Sequence, residues 1–405
     1  MTKKEENVFT KGSSRRSFLR NGTVAGAATM GAGLLSGKAF AFDREDGDRA
    51  PITKGDIAIL TFLSALEQVE ADLWIQYAEL GGATNQGLSP IEVQHLKDHR
   101  ITQGNAPAYV AALRVLDLDM PQYISDNTDD EISHHRFLNN YLKSKGASPI
   151  DLSGFAILPP SPVAGVLQVP RLTSLKNLKV DTTWWTRYRS AKLNPDFGNP
   201  KFENAVPDLA KAPHTAIPLT SDEANLDPKL NGNVTDHQQA IASTAGFHFG
   251  FVEQGGSSLY PTLAQKVTNL EVLRVLLSIG PSETMHFQVW HDKAGNAPQL
   301  TDGDLMFPVL DGSNDPNDPN AGGPDVADSF QANLIMPEPT FFLNEGLGPV
   351  SIIRPTSTAQ GGAIAAVQSF VDDGLFFDPS TNGNTGIVAT LMGLAEEADE
   401  ARRRF

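Results

Sequence analysis

The 405-residue chain contains no cysteine. Disulfides are excluded, and so are thiolate ligands, so any metal would have to be held by carboxylate and imidazole groups. Basic residues are scarce: 32 Lys and Arg face 48 Asp and Glu, giving a net charge of −16. Nucleic-acid binding needs clustered positive charge, so this balance argues against that class of partner. Long apolar runs are missing too. The weakly apolar stretch from Val24 to Leu35 is too short and glycine-rich to cross a bilayer, and no other segment approaches a membrane span.

What is present is an ordered set of short patterns. Glu70 is followed seven residues later by Tyr77, and Glu131 three later by His134. Glu253 and Tyr260 repeat the first spacing, Glu283 and His286 the second. The order Glu, Glu-x-x-His, Glu, Glu-x-x-His is that of a di-metal carboxylate site in a four-helix bundle, one Glu from each of two helices and a Glu-x-x-His pair from each of the others. Residues i and i+3 share a helical face, so Glu131 with His134, and Glu283 with His286, can each reach one ion. The i+7 spacing is about two turns, which returns Tyr77 to the face of Glu70 and Tyr260 to the face of Glu253. There such tyrosines can hydrogen-bond to the site or wall it from water. With 18 Glu and 9 His in the chain, random placement predicts fewer than one Glu-x-x-His pair, so the alternation carries the weight. Glu67, one turn before Glu70, is a rival ligand; Glu70 is preferred because it alone has a tyrosine at plus seven.

The periodicity predicts bundle helices over about 56–80, 121–145, 237–259 or beyond, and 270–293. Pro261 should end or kink the third helix, and Pro281 should kink the fourth just before its ligands. Glu92 and His95 also fit Glu-x-x-His, but Ser89-Pro90 with Glu92 forms a capping box, which explains them without metal. His99 reads as a surface residue, His135 as solvent-facing or as support for the site, and His291 as a reserve ligand or as support for the site. The long connection, about 147–236, should hold short helices and turns packed over the bundle, anchored by Trp184, Trp185 and Tyr188. Asp311 to Asp325 reads as a flexible loop without the ligand spacing of a calcium loop. Helices are expected over 361–373 and 385–403, with faces that could dock on the bundle or in a homo-oligomer, and Arg402 to Arg404 complementing the last helix dipole.

Ser14-Arg15-Arg16-Ser17-Phe18-Leu19, the apolar run, Lys38 and Ala39-Phe40-Ala41 resemble a twin-arginine export signal with its cleavage site. Residues 1–41 carry seven basic and two acidic side chains, so the remainder of the chain carries −21. The implied location is periplasmic or extracellular. The expected organisation is a signal over 1–41, a bundle over 42–295 with its insertion, and a loop-rich extension with two helices over 296–405.

The stretch from Asp56 through Leu66-Glu67-x-x-Glu70-Ala71 resembles the opening helix of the ferritin-like domain family of desiccation-related and fungal stress-response type. Glu131-x-x-His134-x-x-Phe137-Leu138 is similar to its second-helix motif, and Glu253 with Glu283-x-x-His286 to its second pair. The resemblance covers 56–153 and 237–295 and implies an all-α, ferritin-like four-helix bundle, here with a long crossover insertion and additional C-terminal helices. The ligand set suits two iron ions, two manganese ions or a mixed pair. Three functions follow in order: an oxidoreductase acting on dioxygen or peroxide, with ferroxidase, peroxide-scavenging and manganese-catalase-like variants; a non-catalytic stress protein with a structural or vestigial site; and iron storage, which the long insertions disfavour. The expected partners are metal ions and a small oxidant.

Overall fold

The computed structural model describes residues 51–83, 104–187, 203–310 and 362–404. Seven of the helices, in chain order, organise it: α1 Lys54–Gly81, α2 Pro107–Leu116, α3 Met120–Ser144, α4 Asp236–Ala264, α5 Leu270–Ala294, α6 Ala363–Asp373 and α7 Ile387–Glu400. Glu92, His95, His99, Tyr188, the 311–325 loop and the N-terminal signal lie outside the described residues.

Local chemistry starts the long helices where they start. Thr53 and Asp56 form a reciprocal capping box at α1, and Thr235 and Gln238 form another at α4. The Asn269 side chain accepts from the backbone of Glu271 and Val272 at the start of α5. Asp56 also accepts from the backbone of Thr268 at 2.8 Å, which ties the start of α1 to the α4–α5 turn.

α1, α3, α4 and α5 form the four-helix bundle. Its directions follow from paired residues. Trp74 of α1 meets Thr128 of α3, while Ser64 meets His135, so these two helices are antiparallel. Glu67 meets Tyr260 and Tyr77 meets His248, so α1 and α4 are antiparallel as well. Asn127 meets Trp290 and His134 meets Ser282, which sets α3 antiparallel to α5. α3 and α4 therefore run the same way, and a connection between them must travel the length of the bundle.

That connection contains short helical turns, Thr183–Arg187, Pro207–Lys211 and Ser221–Ala224, in place of a structureless loop. It is pinned along the outer face of α1. Asp72 Oδ2 accepts from the backbone of Leu172 and Thr173, each at 3.0 Å, and Gln76 donates to Thr173 Oγ1 at 2.8 Å. One turn on, Arg171 pairs with Glu79 at 2.6 Å, both buried. Trp184 and Trp185 are buried as expected, and Trp184 packs on Phe247 and Phe287. A Cβ at Gly250 would stand 2.3 Å from the Trp184 ring, so only glycine admits the indole there.

α7 packs on α1, and α6 on α7 and α4. Because α1 and α4 are covered on several sides, both are apolar around most of their circumference rather than along one stripe. Arg402 donates to the Asp399 carbonyl at the end of α7, and Arg403 reaches the Val267 carbonyl of the α4–α5 turn. Two minimal antiparallel hairpins, Leu300–Asp302 with Leu305–Phe307 and Phe377–Asp378 with Gly383–Asn384, accompany the helices among the described residues.

Of the alternatives at Pro261, an end is not what occurs: α4 runs beyond Leu259 and through Pro261 to Ala264. The missing N–H costs about 3 kcal/mol in a helix interior. Leu259, Tyr260 and Leu263 are all buried in that last turn, and burial on the order of 2 kcal/mol per large side chain offsets it. α5 likewise runs through Pro281.

The Arg171–Glu79 pair makes the crossover's attachment testable. Burial pushes the Glu79 carboxyl up and the guanidinium of Arg171 pulls it down. Arg171→Ala should destabilise the protein by about 3–5 kcal/mol in urea unfolding, because it leaves a buried carboxylate without its partner. The double variant Arg171→Met with Glu79→Leu should recover most of that loss.

Candidate metal centre

Midway along the bundle, where an apolar core would otherwise continue, each of the four helices turns acidic side chains inward. Glu67 of α1, Glu131 of α3, Glu253 of α4 and Glu283 of α5 are buried, as are His134 and His286. They fall into two overlapping groups. Glu67, Glu131, His134 and Glu283 each offer an atom to one group; Glu131, Glu253, Glu283 and His286 to the other. Within each group these atoms all lie within 4.8 Å of one another. Glu131 and Glu283 belong to both, so they stand between two positions, each with one imidazole and one further carboxylate.

The imidazoles are oriented alike. His134 Nδ1 points inward, 3.0 Å from Glu131, 3.1 Å from Glu283 and 3.3 Å from Glu67. His286 Nδ1 points inward, 3.1 Å from Glu131 and 3.2 Å from Glu253. Each Nε2 faces outward to a support, Ser282 Oγ at 3.2 Å for His134 and Asp130 at 3.0 Å for His286. Outer partners of this kind fix ring orientation and tautomer in metal-binding histidines. The carboxylates are braced in turn. Glu253 Oε1 accepts from Trp74 Nε1 at 3.0 Å and from Asn127 at 2.9 Å; Asn127 also donates to Glu131 and accepts from Trp290 Nε1. Trp74, Trp290 and Phe249 pack together beside this network, with ring centroids 4.8–5.3 Å apart.

Concentrated negative charge sets the proton affinities. Burial and the charge of Glu253 push Glu131 up to about 7, against hydrogen bonds from both histidines. Burial, Glu131 and Glu67 raise Glu283 well above the usual carboxylate range. Burial alone would raise Glu67, but the charge of His134, its polar contacts with His134 and Glu131, and the hydrogen bond from Tyr260 outweigh it and hold it lower. Burial would also depress both histidines; Glu67 and its neighbours reverse that for His134, and Glu253, Asp130 and Glu131 do so for His286.

The donor set fits a pair of divalent cations. Neither Glu283 oxygen accepts a hydrogen bond, although both are buried, and Glu67 Oε2 is also unsatisfied. His134 Nδ1 lies near oxygens of three carboxylates, yet its single N–H can serve only one of them. Such orphaned buried oxygens are costly unless a cation satisfies them. Gly256 gives the Glu283 carboxylate its room in the cluster: a Cβ there would stand 2.6 Å from Glu283 Oε2. Two divalent cations would neutralise the four carboxylates with both imidazoles neutral.

Glu131, His134, Glu253, Glu283 and His286 are brought together in these two groups. Glu70 does not join them. Among the described residues it belongs to neither group, and Glu67 occupies the place on α1. Glu70 borders a cavity of about 530 Å³ walled by Leu66, Trp184, Phe251, Gln254 and Phe370. Burial, then the charges of Glu67, Glu283, Glu131 and Glu253, raise its carboxyl well above the usual range. The tyrosine spacing that favoured Glu70 reports on something else. Tyr77 hydrogen-bonds to His248 at 2.8 Å, not to the cluster, and Tyr260 donates to Glu67 rather than turning to Glu253. His291 is buried among Trp184, Trp185 and Phe287. His135 is half-buried, pushed down to about 4 by burial and by Arg136. Asn127, Asp130, Trp74, Trp290 and Ser282 were not signalled by any motif. Asn127 and Asp130 do lie one turn and one residue before Glu131, on the turn that carries the motif.

No curated protein and no solved structure matches the chain. The family profile described as "Ferritin-like domain" does match, over residues 55–296, which spans all four bundle helices apart from Lys54 at the start of α1. With more than half of its length in that match and a buried Glu/His cluster at the centre of the bundle, the chain belongs to the ferritin-like domain family.

Proposed function

We propose that this chain is an exported di-metal carboxylate oxidoreductase that acts on dioxygen or peroxide in stress protection. The observation that carries the reading is the pair of overlapping Glu/His groups sharing Glu131 and Glu283. Glu67 and His134 would hold one ion, Glu253 and His286 the other, with Glu131 and Glu283 between them. Hard oxygen donors with a single imidazole per position suit iron or manganese. Such ions, when bound, would supply electron exchange with dioxygen or peroxide.

The protein's own part is preparation. Trp74, Asn127 and Trp290 fix Glu253 and Glu131, so these carboxylates need not reorganise when an ion arrives. Asp130 and Ser282 keep both imidazole rings turned inward. The apolar residues of α1 and α4 exclude bulk water, which strengthens every charge interaction inside. Tyr260 donates its hydroxyl to Glu67 and so favours the ionised form of that carboxylate.

A second reading has one observation in its favour. Without a cation, the two histidines pair with the acids around them, so the bundle can stand alone. On that reading the chain is a non-catalytic, desiccation-type stress protein with a vestigial site. Export in either case rests on the N-terminal signal pattern around Arg15 and Arg16.

Elemental analysis separates the two readings: the full chain should carry about two iron or manganese ions, whereas a vestigial site carries none. Glu67→Gln should lose one ion and Glu70→Gln neither; the opposite pattern would return the ligand role to Glu70. Apo protein given Fe(II) in air should consume dioxygen or peroxide faster than buffer, and Glu253→Ala should abolish the difference. Two bound ions with no such consumption would make the site structural. Replacing Arg15 and Arg16 by Lys should trap the precursor in the cytoplasm, and normal export of that variant would remove the twin-arginine assignment.

A further inference from the structure

One buried chain of groups is left unused by the metal centre. Tyr77 of α1 is fully buried, and its hydroxyl lies 2.8 Å from His248 Nδ1 of α4. His248 is fully buried too, and its Nε2 lies 3.1 Å from Asp373 Oδ2 at the end of α6. With Nε2–H donating to the carboxylate, Nδ1 is left as the acceptor for the phenol. A tyrosine thus sits on a base that is itself held by an acid. This is the ordering needed for a side chain to give up a proton and take it back without diffusion.

The ring of Tyr77 meets the aromatic residues that pack beside the cluster. It lies 5.8 Å from that of Trp74 and packs edge-on against Phe249 at 4.6 Å. Trp74 donates to Glu253 at 3.0 Å. An unbroken aromatic contact therefore runs from a carboxylate of the cluster to the phenol, and a proton acceptor waits on the far side. Tyr260 is placed differently. Its acceptor is Glu67, a member of the cluster itself, and a carboxylate bound to a cation is a poor base.

We infer that Tyr77, His248 and Asp373 form a redox relay in which Tyr77 is a reversible one-electron donor towards the cluster through Trp74. The inference rests on the oxidative reading of the cluster given above. The oxidant is a peroxide-derived one-electron acceptor at the carboxylate cluster. Tyr77 loses one electron, which reduces that acceptor by one. The O–H bond breaks, and its proton passes to His248 Nδ1. A neutral tyrosyl radical then faces an imidazolium paired with Asp373. An electron from a small reductant, with return of the proton from His248, restores the starting state. The relay would draw oxidising equivalents away from the ligands and store them on a residue shielded from solvent.

Two measurements on the full chain test it. In metal-free protein, flash photolysis with a ruthenium photo-oxidant and persulfate should give a tyrosyl radical by transient absorption, and Tyr77→Phe should remove most of it while Tyr260→Phe should not. His248→Gln, which keeps an acceptor but not a base, should shorten the radical lifetime about tenfold, as expected when one charge-assisted hydrogen bond is lost. Should that variant fail to fold by circular dichroism, Asp373→Asn provides the same comparison. In iron-loaded protein, freeze-quenching after hydrogen peroxide should give an electron paramagnetic resonance signal that depends on Tyr77 in the same way. A radical unchanged by Tyr77→Phe would overturn the relay, since a purely structural role moves the melting temperature and not the radical yield. Peroxide consumption without a Tyr77-dependent signal would overturn it as well, with the function of the cluster intact. A Tyr77-dependent radical in metal-free protein, with no oxidant consumption when loaded, would support the relay and overturn the oxidative reading instead.

Discussion

Four carboxylates buried at one level of an apolar bundle repel one another, and the rest of the molecule is arranged around that constraint. In water such charges would be screened; in a low-dielectric core each raises the energy of the others. The chain answers with two inward imidazoles, a tryptophan and an asparagine that donate to the same carboxylates, and a glycine, Gly256, against which the Glu283 carboxylate packs. The proton affinities record the tension. Glu283 and Glu131 are raised, and the neighbouring carboxylates push both histidines up against their burial. A cluster of this kind accepts either protons or cations, and the orphaned oxygens of Glu283 favour cations.

The same constraint explains the coverings. A site that depends on low dielectric must keep water out, and four helices alone leave the outer faces of α1 and α4 open. The crossover is fastened along α1 through Asp72, Gln76 and Glu79, three positions at helical spacing on its outward side. Trp184 closes against Gly250 of α4, and α6 and α7 cover what remains. Function and stability are coupled here, because the segments that exclude solvent from the cluster also bury the apolar sides of the two central helices. The Tyr77–His248–Asp373 chain belongs to this layer, joining α1 and α4 to α6.

Chain direction links the crossover to the site. Neighbouring helices are antiparallel, so α3 and α4 run the same way and a long return is unavoidable. That geometry places the two Glu-x-x-His motifs on adjacent antiparallel helices, α3 and α5, where Ser282 reaches His134 and Asp130 reaches His286. Each motif is thus braced by the helix that carries the other.

How much of this was legible depends on the range of the interaction. Glu131 with His134, and Glu283 with His286, are set three residues apart on one helix, and helical geometry alone puts such pairs on one face. The capping residues and the apolar periodicity that mark the long helices are equally local, so the bundle and its motif helices could be read without coordinates. The choice between Glu67 and Glu70 could not. Both lie within one turn of the same level, and which one points inward is decided by how α1 is rotated against α3, α4 and α5 when all are packed. Pro261 reads locally as a stop or a kink, and burial of Tyr260 and Leu263 carries the helix past it. The repeated Glu-x6-Tyr spacing is a real regularity with two unrelated outcomes, because Tyr77 finds its partner on α4 and Tyr260 finds its own on α1. The sequence by itself determined the helices and the two pairs written within single turns; tertiary packing decided which further carboxylates meet them and where each tyrosine hydroxyl goes, since those contacts join different helices across 33 to 193 positions of chain.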